Sequence, residues 1–329
     1  MNNIVSIIVT YNRPLLLKKV IEGVLKQNNI VSDILIIDNS LDNNTHSVLI
    51  ENGFLENNKL KKDTLYKKNL INPFNNSLYI FCYFKTSENI GSAGGYSTGV
   101  KIAYMGNYKF FWLLDDDGYP DTNCLFELFK NIEGKEFFMI EPLVLNSENN
   151  NEIAFSYKKK DGHYLKYLQE IYNEKDIILD FQNTLSFNGL FFDRKIVEKI
   201  GYPLESFFFI KDDTEYYYRG LSSGCFVKMI KDAVYYHPVA KSDFVKYSVL
   251  KFAFSVYKPS NSAKIYFFFR NGFVINLKYF GILYSVKRFF IDLFKYILSF
   301  NFREVFIYLV AIKDGLLKRF NNKEWVGKK

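Results

Sequence analysis

Three consecutive carboxylates, Asp115, Asp116 and Asp117, follow a run of bulky apolar residues in the segment FFWLLDDDGYPD. If this segment is extended, Asp115 and Asp117 point the same way, because side chains two residues apart share one face of a strand. Two carboxylates on one face can hold a hard divalent cation such as Mg²⁺ or Mn²⁺, together with phosphate oxygens and water. The alternative is a solvated turn, or a helix N-cap at Asp121. The apolar strand directly ahead favours the cation site.

A second acidic cluster, Asp212, Asp213 and Glu215, lies in the segment FFFIKDDTEYYYRG at the predicted start of a short helix. Carboxylates cap the free N–H groups of a helix N-terminus and interact favourably with its dipole, but capping accounts for only one of the three. The others favour a general base that removes a proton from a hydroxyl nucleophile. His237 follows the aromatic segment AVYY and offers an imidazole ligand for an ion such as Mn²⁺, although single histidines are more often structural.

The segment SENIGSAGGYSTGV contains glycines at positions 91, 94, 95 and 99, at the predicted start of another helix. Such glycines either let the backbone approach a ligand at the helix start or allow close packing of the helix on a sheet. Two phosphate-binding loops are excluded, because no Gly-Lys-Ser/Thr follows and the glycines do not come directly after the first strand. Both interpretations of the glycines stay open.

Short apolar strands alternate with amphipathic stretches through the first half of the chain, a pattern typical of an α/β fold with a mostly parallel sheet. The predicted helices are Pro14–Lys26 and Gly95–Tyr104. Each predicted strand ends in a polar cluster. Ligands bind outside the carboxyl ends of the strands in open α/β sheets, so these clusters predict one shared site. The predicted strands are Val5–Thr10, Asp33–Asp38, Leu78–Phe84 and Phe110–Leu114.

The second half of the chain has longer loops, with predicted strands at Thr184–Phe192, Cys225–Ile230 and Ala233–Tyr236. From about Lys246 the pattern is helical, aromatic and basic. Within it, Tyr279–Phe300 is rich in apolar residues, but its charges interrupt the ~18 consecutive apolar residues that a membrane-spanning helix needs. The segment therefore predicts an amphipathic helix that packs on the core or lies at a membrane surface.

The net charge of +8 is distributed unevenly, because residues 241–329 carry 17 Lys or Arg against 5 Asp or Glu. A basic, aromatic-rich tail behind a mildly acidic body indicates an anionic partner, either nucleic acid or a membrane surface. The three cysteines lie far apart in no metal-ligand spacing, which indicates buried thiols in a reducing compartment. The N-terminal segment MNNIVSIIVTYNRP is typical of a core strand rather than a signal peptide.

The segments VSIIVTYNRP, ILIIDNS, NIGSAGGYSTGV, WLLDDDGYP, FNGLFF, KDDTEYYYR and YYHP occur in the order found in inverting glycosyltransferase family two. The chain resembles the bacterial galactofuranosyl- and rhamnosyltransferase branch of this family up to about Pro238, and YFFFRNGF at 266–273 resembles a segment common after the catalytic domain. The resemblance implies a GT-A fold, which is Rossmann-like with a mostly parallel sheet flanked by helices. The catalytic domain would span 1–240, with a nucleotide-sugar-binding half (1–120) and an acceptor-binding half (121–240). A helical, basic, aromatic-rich extension would follow over 241–329.

The resemblance also implies a role for each matching residue. Asp213 would be the general base, with Asp212 and Glu215 positioning the acceptor. Trp112 lies inside a strand and is assigned to the core. The metal ligands would be Asp115, Asp117 and His237. The donor-binding residues would be Thr10, Tyr11, Arg13, Asp38, Asn89, Gly94, Gly95, Asp115 and Asp116, with Tyr11, Arg13 and Asp38 around the nucleobase.

The implied reaction is a direct displacement with inversion at the anomeric carbon, assisted by Mn²⁺ or Mg²⁺. UDP-galactofuranose is the expected donor and dTDP-rhamnose the next, with a glycan or lipid-linked oligosaccharide as acceptor in bacterial surface polysaccharide synthesis. The enzyme would be cytoplasmic, in peripheral contact with the anionic inner face of the cell membrane.

Two segments depart from the family. Ile210–Lys211–Asp212 stands where many relatives have Trp or Glu ahead of the base, and the long Asn- and Lys-rich segment Glu51–Ser77 is interpreted as a surface insertion.

Two other classes of function compete with this interpretation. Nucleotidyltransferases also bind nucleotides at strand ends, but they typically open with a glycine-rich basic loop after the first strand, where this chain has Tyr11–Asn12–Arg13–Pro14. A nucleic-acid-binding protein could use the basic tail, with its aromatic residues for base stacking. The Lys and Arg residues of the tail are interleaved with Phe, Leu and Ile at helical spacing, which suits a membrane-surface helix better. We therefore expect no nucleic-acid partner.

Overall fold

The computed structural model describes residues 3–28, 30, 32–158, 163–174, 178–179, 187–239, 243–249, 252–320 and 325, which form an alternation of strands and helices followed by a helical region. The strands are β1 (Ile4–Thr10), β2 (Asp33–Asp38), β3 (Leu65–Ile71), β4 (Leu78–Lys85), β5 (Phe110–Asp115), β6 (Tyr119–Pro120), β7 (Phe138–Asn146), β8 (Glu152–Lys158), β9 (Tyr164–Tyr167), β10 (Ile178–Leu179), β11 (Leu190–Asp193), β12 (Phe226–His237), β13 (Phe244–Val249) and β14 (Phe252–Tyr257). The helices are α1 (Pro14–Leu25), α2 (Asn44–Glu51), α3 (Gly91–Met105), α4 (Cys124–Lys130), α5 (Leu168–Tyr172), α6 (Arg194–Ile200), α7 (Asp212–Ser222), α8 (Ser262–Tyr279), α9 (Ile282–Leu298) and α10 (Phe302–Leu316), with a 3₁₀ helix at Glu205–Phe207.

A sheet of twelve strands forms the centre of the molecule. Its middle strands, in the order β4–β2–β1–β5, are all parallel, and β3 pairs with β4 as an antiparallel edge strand. Beyond β5 the order continues β11–β7–β12–β10, with β11 antiparallel to both of its neighbours and β7 parallel to β12. The predicted α/β fold with a mostly parallel central sheet is confirmed, and all four predicted strands of the first half are present.

Helices cover both faces of the sheet, so its central strands are continuous apolar runs that are buried on both sides. All seven residues of β1, IVSIIVT, are buried. On one face α1 begins with Pro14, whose missing N–H costs no helical hydrogen bond there, and buries Leu17, Val20 and Val24 at helical spacing. On the other face α3 packs on β1 and β2 through Tyr96 and Val100. These helices fix the strand ends that carry the polar clusters.

The glycines of α3 serve close packing of the helix on the sheet. A Cβ atom added at Gly95 would lie 2.5 Å from Val9 Cγ1, and one added at Gly99 would lie 2.5 Å from Ile7 Cγ2. No real Cβ atom tolerates such a distance, so both positions need glycine for α3 to approach β1. Of the two interpretations of this segment, the structure favours packing for these positions. The helix also starts earlier than predicted, at Gly91 instead of Gly95.

Three segments of the chain differ from their predicted structure. β12 is one strand where two were predicted, because a bulge between Ile230 and Val234 interrupts its pairing with β7 without ending it. Only the end of the predicted strand Thr184–Phe192 is found, as β11, and residues 184–186 lie outside the described residues. The segment Glu51–Ser77 contains the edge strand β3, whose lysines suit an exposed sheet edge, so its interpretation as a surface insertion alone was wrong.

The C-terminal extension begins with a β-hairpin and then becomes helical. β13 and β14 pair in antiparallel fashion, so the prediction of a helical pattern from Lys246 was wrong over 244–257. This segment is rich in aromatic and β-branched residues, which suit a pleated surface, and short apolar runs of this kind do not separate helix from strand by periodicity. The predicted helices follow as α8, α9 and α10, and α9 corresponds to the predicted amphipathic helix within Tyr279–Phe300.

The hairpin and the three helices share a hydrophobic core of their own, which includes Phe254, Tyr266, Phe269 and Tyr308. Phe208, from the loop before α7, is part of the same core. The extension is therefore packed against the loop that leads into the second acidic cluster. Among the described helices, none combines the length and the apolar composition needed to cross a lipid bilayer.

Candidate functional site

A cavity of about 570 Å³ opens at the carboxyl ends of β1 and β5. Its volume lies within the range of ~300–1,000 Å³ that is usual for small-molecule sites. One side is aromatic and comes from Phe208 and Phe209 before α7 and from Phe267 and Trp325 of the extension. The other side is polar and includes Thr10, Tyr11, Arg13, Asn39, Asn89, Ser92, Asp115, Asp116, Asp117 and His237. The strand-end residues thus meet at one site, as the strand-end rule predicted.

Asp115, Asp117 and His237 form a cluster whose ligand atoms all lie within 4.8 Å of one another. Asp115 ends β5, and Asp117 follows two residues later. His237 ends β12, which pairs with β6 so that Tyr236 lies opposite Tyr119, and this pairing brings the histidine beside the aspartates. The Nε2 atom of His237 lies 3.1 Å from Asp117 Oδ1. Two loops that are 120 residues apart in sequence therefore meet through the pairing of two strands.

This donor set fits a divalent cation such as Mn²⁺ or Mg²⁺. Carboxylate oxygens suit both ions, and an imidazole nitrogen favours the transition metal. The Nδ1 atom of His237 lies 2.7 Å from the carbonyl oxygen of Pro238. If Nδ1–H donates to that carbonyl, the lone pair of Nε2 faces the carboxylates, which is the tautomer that a metal ligand needs. Within the described part of the chain, this is the one group of three acidic, histidine or cysteine side chains close enough to share an ion.

The residues of the cluster shift one another's pKa in the sense expected for opposite charges. Burial would lower the pKa of His237, but the hydrogen bond and charge of Asp117 outweigh burial and raise it. For Asp117 the effect of burial has the opposite sign and would raise the pKa, but His237 and Arg13 hold the pKa below its usual value. The pKa of Asp115 is raised, mainly by burial. In the absence of a metal ion, positive charge on His237 and Arg13 thus stabilises the ionised form of Asp117, a role that a bound cation would share.

Asp116 organises the end of β1 instead of facing the cavity with a free carboxylate. Its Oδ2 atom accepts hydrogen bonds from Thr10 Oγ1 at 2.8 Å and from the backbone N–H of Tyr11 at 3.1 Å. Its Oδ1 atom lies 3.1 Å from Arg13 Nη1, and the same guanidinium lies 2.5 Å from Asp117 Oδ2. Burial raises the pKa of Asp116 to about 6. Asp116 thus fixes Thr10, Tyr11 and Arg13 at the rim of the site.

Asp212 and Asp213 form an acid pair at the start of α7, in which Asp212 is buried and Asp213 is partly buried. Asp212 Oδ2 accepts a hydrogen bond from Ser92 Oγ at 3.0 Å, and burial and the charge of Asp213 raise the pKa of Asp212 to about 8. Asp213 accepts hydrogen bonds from the N–H of Thr214 at 2.5 Å and from its hydroxyl at 3.1 Å, and burial raises its pKa. The charge of Asp213 also raises the pKa of Asp115, so the pair lies within electrostatic reach of the metal cluster.

Six residues predicted for the site do not line the cavity, and two of them are the acid pair, of which Asp212 is bound to Ser92 in the cavity wall. Glu215 points away from the acid pair, because Arg219 one turn later, Lys278 and Tyr279 all bind its carboxylate. Asp38 is fully buried, where its carboxylate accepts hydrogen bonds from Tyr83 Oη at 2.7 Å and Lys85 Nζ at 3.2 Å. Gly94 and Gly95 lie within α3, against Ile90 and Val9.

Two groups of site residues were missed from the sequence. Tyr96 donates from its hydroxyl to Asp115 Oδ1 at 2.5 Å and to the carbonyl of Leu114 at 3.0 Å, so it holds the end of β5. Tyr96 lies four residues after Ser92 on α3, so the two side chains share one face of the helix, and this spacing could have identified Tyr96 from the sequence. The aromatic wall of Phe208, Phe267 and Trp325 was missed although Phe267 lies in the segment YFFFRNGF, because the place of that segment in the site depends on how the extension folds back.

No protein-family model matches the chain. Over 196 residues it is 27% identical to the galactofuranosyltransferase GlfT1 of Mycobacterium tuberculosis. The aligned region covers 59% of this chain and 64% of that protein. GlfT1 of Mycolicibacterium smegmatis is 26% identical over 195 residues, covering 57% of this chain and 63% of the relative. The chain therefore spans less than two thirds of the length of the curated relatives it matches.

A similar fold occurs in the crystal structure of GalNAc-T7 with UDP, GalNAc and Mn²⁺, with a TM-score of 0.50 and 13% identity over 75% of this chain and 44% of that one. At this identity the likeness concerns the fold alone. The mostly parallel sheet with helices on both faces agrees with it. The chain has the GT-A fold of the glycosyltransferases, and in sequence it is related to their galactofuranosyltransferase branch.

Proposed function

We propose that the protein is a metal-dependent, inverting glycosyltransferase that moves a sugar from a nucleoside-diphosphate sugar to a hydroxyl of a glycan acceptor. The observation that carries the proposal is the cluster Asp115, Asp117 and His237 at one cavity, next to the acid pair Asp212 and Asp213, which is joined to the cavity wall by the hydrogen bond from Ser92 to Asp212. The names of the curated relatives support transfer of galactofuranose. UDP-galactofuranose is therefore our first choice of donor, with dTDP-rhamnose as the second.

The donor would bind along the polar side of the cavity. Tyr11 is 42% exposed at the rim and can stack on a nucleobase, while Arg13 is half-exposed and can pair with a phosphate. Asn89 lines the same wall, and its side-chain oxygen accepts the N–H of Gly91, which fixes the start of α3. Asp38 would act indirectly, since its carboxylate is bound to Lys85, which also donates to the carbonyl of Ser40.

Asp115, Asp117 and His237 would hold Mn²⁺ or Mg²⁺. When bound, the cation neutralises charge that develops on a leaving diphosphate. Asp213 takes the proton of the acceptor hydroxyl, because its raised pKa makes it a stronger base than an exposed carboxylate. Asp212 lies beside it on Ser92, where it contributes a second negative charge. A direct displacement from the face opposite the diphosphate inverts the anomeric carbon.

A screen of nucleotide-sugar donors tests the proposed function. The purified protein is incubated with each donor and Mn²⁺, Mg²⁺ or EDTA, and release of the nucleoside diphosphate is measured with and without glycan acceptors. We expect metal-dependent release that is fastest with UDP-galactofuranose and is increased by an acceptor, whose product carries the inverted linkage by NMR. Release of pyrophosphate, or no binding of any nucleotide sugar, would contradict the proposal.

The acid pair makes the expected pH dependence specific. The base Asp213 must be ionised, so activity falls as the pH drops through its raised pKa. Asp212→Asn removes the like charge beside Asp213, and the acid limb of the pH–kcat profile should therefore move to lower pH. Ser92→Ala removes a hydrogen bond that lowers the pKa of Asp212, so Asp212 keeps its proton to higher pH and repels the charge of Asp213 less. This variant should therefore move the limb in the same direction by a smaller amount. A shift to higher pH in either variant would contradict this assignment.

We further propose that the extension binds the anionic inner face of the cell membrane. The exposed face of α9 carries Leu283, Val286, Phe290 and Ile297 at helical spacing, with Leu283 85% exposed and Phe290 61% exposed. On α10, Phe306 is 67% exposed. Between residues 281 and 320 there are seven Lys or Arg against three Asp or Glu. Exposed apolar faces with basic neighbours are typical of helices that lie at an anionic lipid surface.

Vesicle flotation tests this surface. The protein should float with vesicles that contain phosphatidylglycerol and much less with neutral phosphatidylcholine vesicles. Phe290→Glu with Phe306→Glu should abolish flotation, because two apolar rings that would insert into the lipid are replaced by charges of the same sign as the lipid. Phe74→Glu is the matched control, since Phe74 is 52% exposed at the far edge of the sheet. Unchanged flotation of the double variant would refute the assignment.

A further inference from the structure

The segment that leads into the acid pair, residues 206–211, has an unusual backbone. Phe208, Ile210 and Lys211 have φ values of 64°, 66° and 66°. This left-handed region is unfavourable for residues other than glycine, and most of all for a β-branched residue such as isoleucine. Such conformations persist where the surrounding structure holds them, and they concentrate at functional sites. The cause of this backbone conformation therefore lies in the contacts of the segment.

Two consecutive side chains of α8 hold the segment through its carbonyl oxygens. The amide Nδ2 atom of Asn271 donates to the carbonyls of Phe207, Phe209 and Ile210, at 3.0, 3.2 and 2.7 Å. Both donor N–H bonds of one asparagine are thus shared among three carbonyls that turn toward the same point. A regular helix or strand would direct these carbonyls along or across its own backbone. The left-handed residues turn them inward, toward Asn271.

Arg270 completes this contact. Its Nη2 atom donates to the carbonyls of Ser206 and Phe207, each at 3.0 Å. The guanidinium also donates to Asn271 Oδ1, at 2.9 Å from Nε and 2.7 Å from Nη2, so it determines which end of the amide faces the segment. Arg270 and Asn271 are both fully buried, and neither lines either of the two cavities beside α8. The contacts given above join them to the segment and to each other, and Arg270 also has Tyr266 as a partner.

The segment connects the two parts of the proposed active site. The carbonyl of Phe208 accepts the N–H of Ala93 at 3.0 Å, which ties the segment to α3. The carbonyl of Lys211 accepts the N–H of Glu215 at 3.0 Å, which starts α7 and fixes the direction in which Asp213 leaves the backbone. A change in the backbone of this segment would therefore move Asp213 relative to the cavity wall.

We propose that Arg270 and Asn271 are positioning residues for the transfer reaction, which hold residues 206–211 in the conformation that places Asp213 beside the donor cavity. The proposal rests on the proposed function, because it assumes that Asp213 is the base. It also assigns a role to the extension that the membrane surface does not explain. Misplacement of a reacting group by about 1 Å can lower a rate by about 10²-fold, so the expected effect is large.

Asn271→Asp tests the proposal. It keeps the size of the side chain and the oxygen that Arg270 binds, but it replaces the amide donors with a carboxylate that repels three carbonyls. Asn301→Asp is the matched control, because the amide of Asn301 also has three acceptors, Tyr247 Oη, Ser299 O and Ser299 Oγ, within the extension and away from the segment. Arg270→Lys is the second variant, since it keeps the charge and loses the forked geometry.

Two measurements separate positioning from a general loss of structure. Hydrogen exchange by mass spectrometry should show faster exchange in peptides that contain Ala93 and residues 206–215 for Asn271→Asp and Arg270→Lys, at unchanged protection elsewhere. The kcat of sugar transfer should fall about 10²-fold in both variants while Mn²⁺-dependent nucleotide binding persists. The control Asn301→Asp should keep both the kcat and the exchange protection of these peptides, or should lose protection within the extension only.

Unchanged exchange in these peptides would overturn the proposed contact between α8 and the segment. Faster exchange at normal kcat would overturn the positioning role. Equal loss of kcat in Asn301→Asp would also overturn it, because the extension as a whole and not this contact would then be responsible. If the parent protein transfers no sugar, the proposed function fails, and the exchange measurement still decides whether Arg270 and Asn271 hold the segment.

Discussion

Asp213→Asn is expected to lower the kcat of sugar transfer by about 10²–10⁴-fold, the contribution that general base catalysis typically makes. The amide is nearly the same size as the carboxylate and still accepts a hydrogen bond from Thr214, so α7 keeps its start. It has no lone pair basic enough to take a proton from a sugar hydroxyl. Steady-state kinetics with saturating donor and Mn²⁺ measure the loss, and calorimetry checks that nucleotide binding is retained.

Asp232→Asn is the control for the change of charge, because Asp232 is an exposed carboxylate on β12. Glu215→Gln is an informative second comparison. Its carboxylate binds Arg219, Lys278 and Tyr279, so its loss should lower the midpoint of thermal unfolding more than it lowers kcat. If Asp213→Asn turns over at a near-normal rate, or if Glu215→Gln shows the larger loss of kcat at unchanged stability, the assignment of the base is wrong.

Asp117→Ala is expected to remove the metal dependence of donor binding. Loss of a residue that only hydrogen-bonds to a metal ligand already costs about 10–100-fold in affinity, and the loss of a direct ligand should cost at least as much. The variant also frees Arg13 from its 2.5 Å contact with Asp117, and the guanidinium can then pair with a phosphate directly. The expected result by calorimetry is weak UDP binding that is the same with Mn²⁺ and with EDTA.

Two further variants make this test specific to the cluster. His237→Ala should give the same loss of metal dependence, because its Nε2 atom lies 3.1 Å from Asp117 Oδ1. Asp121→Ala is the control, since Asp121 lies in the same acidic segment but binds the N–H of Asn123 and not the cluster. Donor affinity that still rises with Mn²⁺ in both cluster variants would show that the ion binds elsewhere.

The strands and the polar strand ends could be predicted because they depend on local sequence. β1, β2 and β5 are mostly apolar strands of six or seven residues that end at a polar residue, and a parallel sheet brings such ends to one edge. Side chains two residues apart share one face of a strand, which predicted that Asp115 and Asp117 lie together, and these two side chains do share the cluster with His237. Pattern and topology were enough for this part of the site.

The residues that were misplaced depend on partners far along the chain. Asp38 looks like a strand-end ligand until Lys85, 47 residues later and fully buried, takes its carboxylate. Glu215 looks like a third acid of the pair until Arg219, on the next turn of the helix, and the extension draw it to the other side. The hairpin at 244–257 was missed because aromatic and β-branched residues satisfy helical and extended periods equally over a short run. Of these facts, the ion pair of Glu215 with Arg219 has a local signal, because the two residues are four apart on one helix, whereas the partners Lys85 and Lys278 lie far along the chain.

The aromatic wall that the extension gives to the cavity has a practical consequence for exchanging parts between related enzymes. Phe267 and Trp325 face the same space as Asp115, and Trp325 is stacked on Tyr266 with ring centroids 4.2 Å apart. A chimera joined near residue 240 would combine a donor cavity from one parent with half of its wall from another. Because the residues that line the cavity run from Val9 to Trp325, the smallest unit that can be exchanged without mixing parents within one cavity is nearly the whole chain.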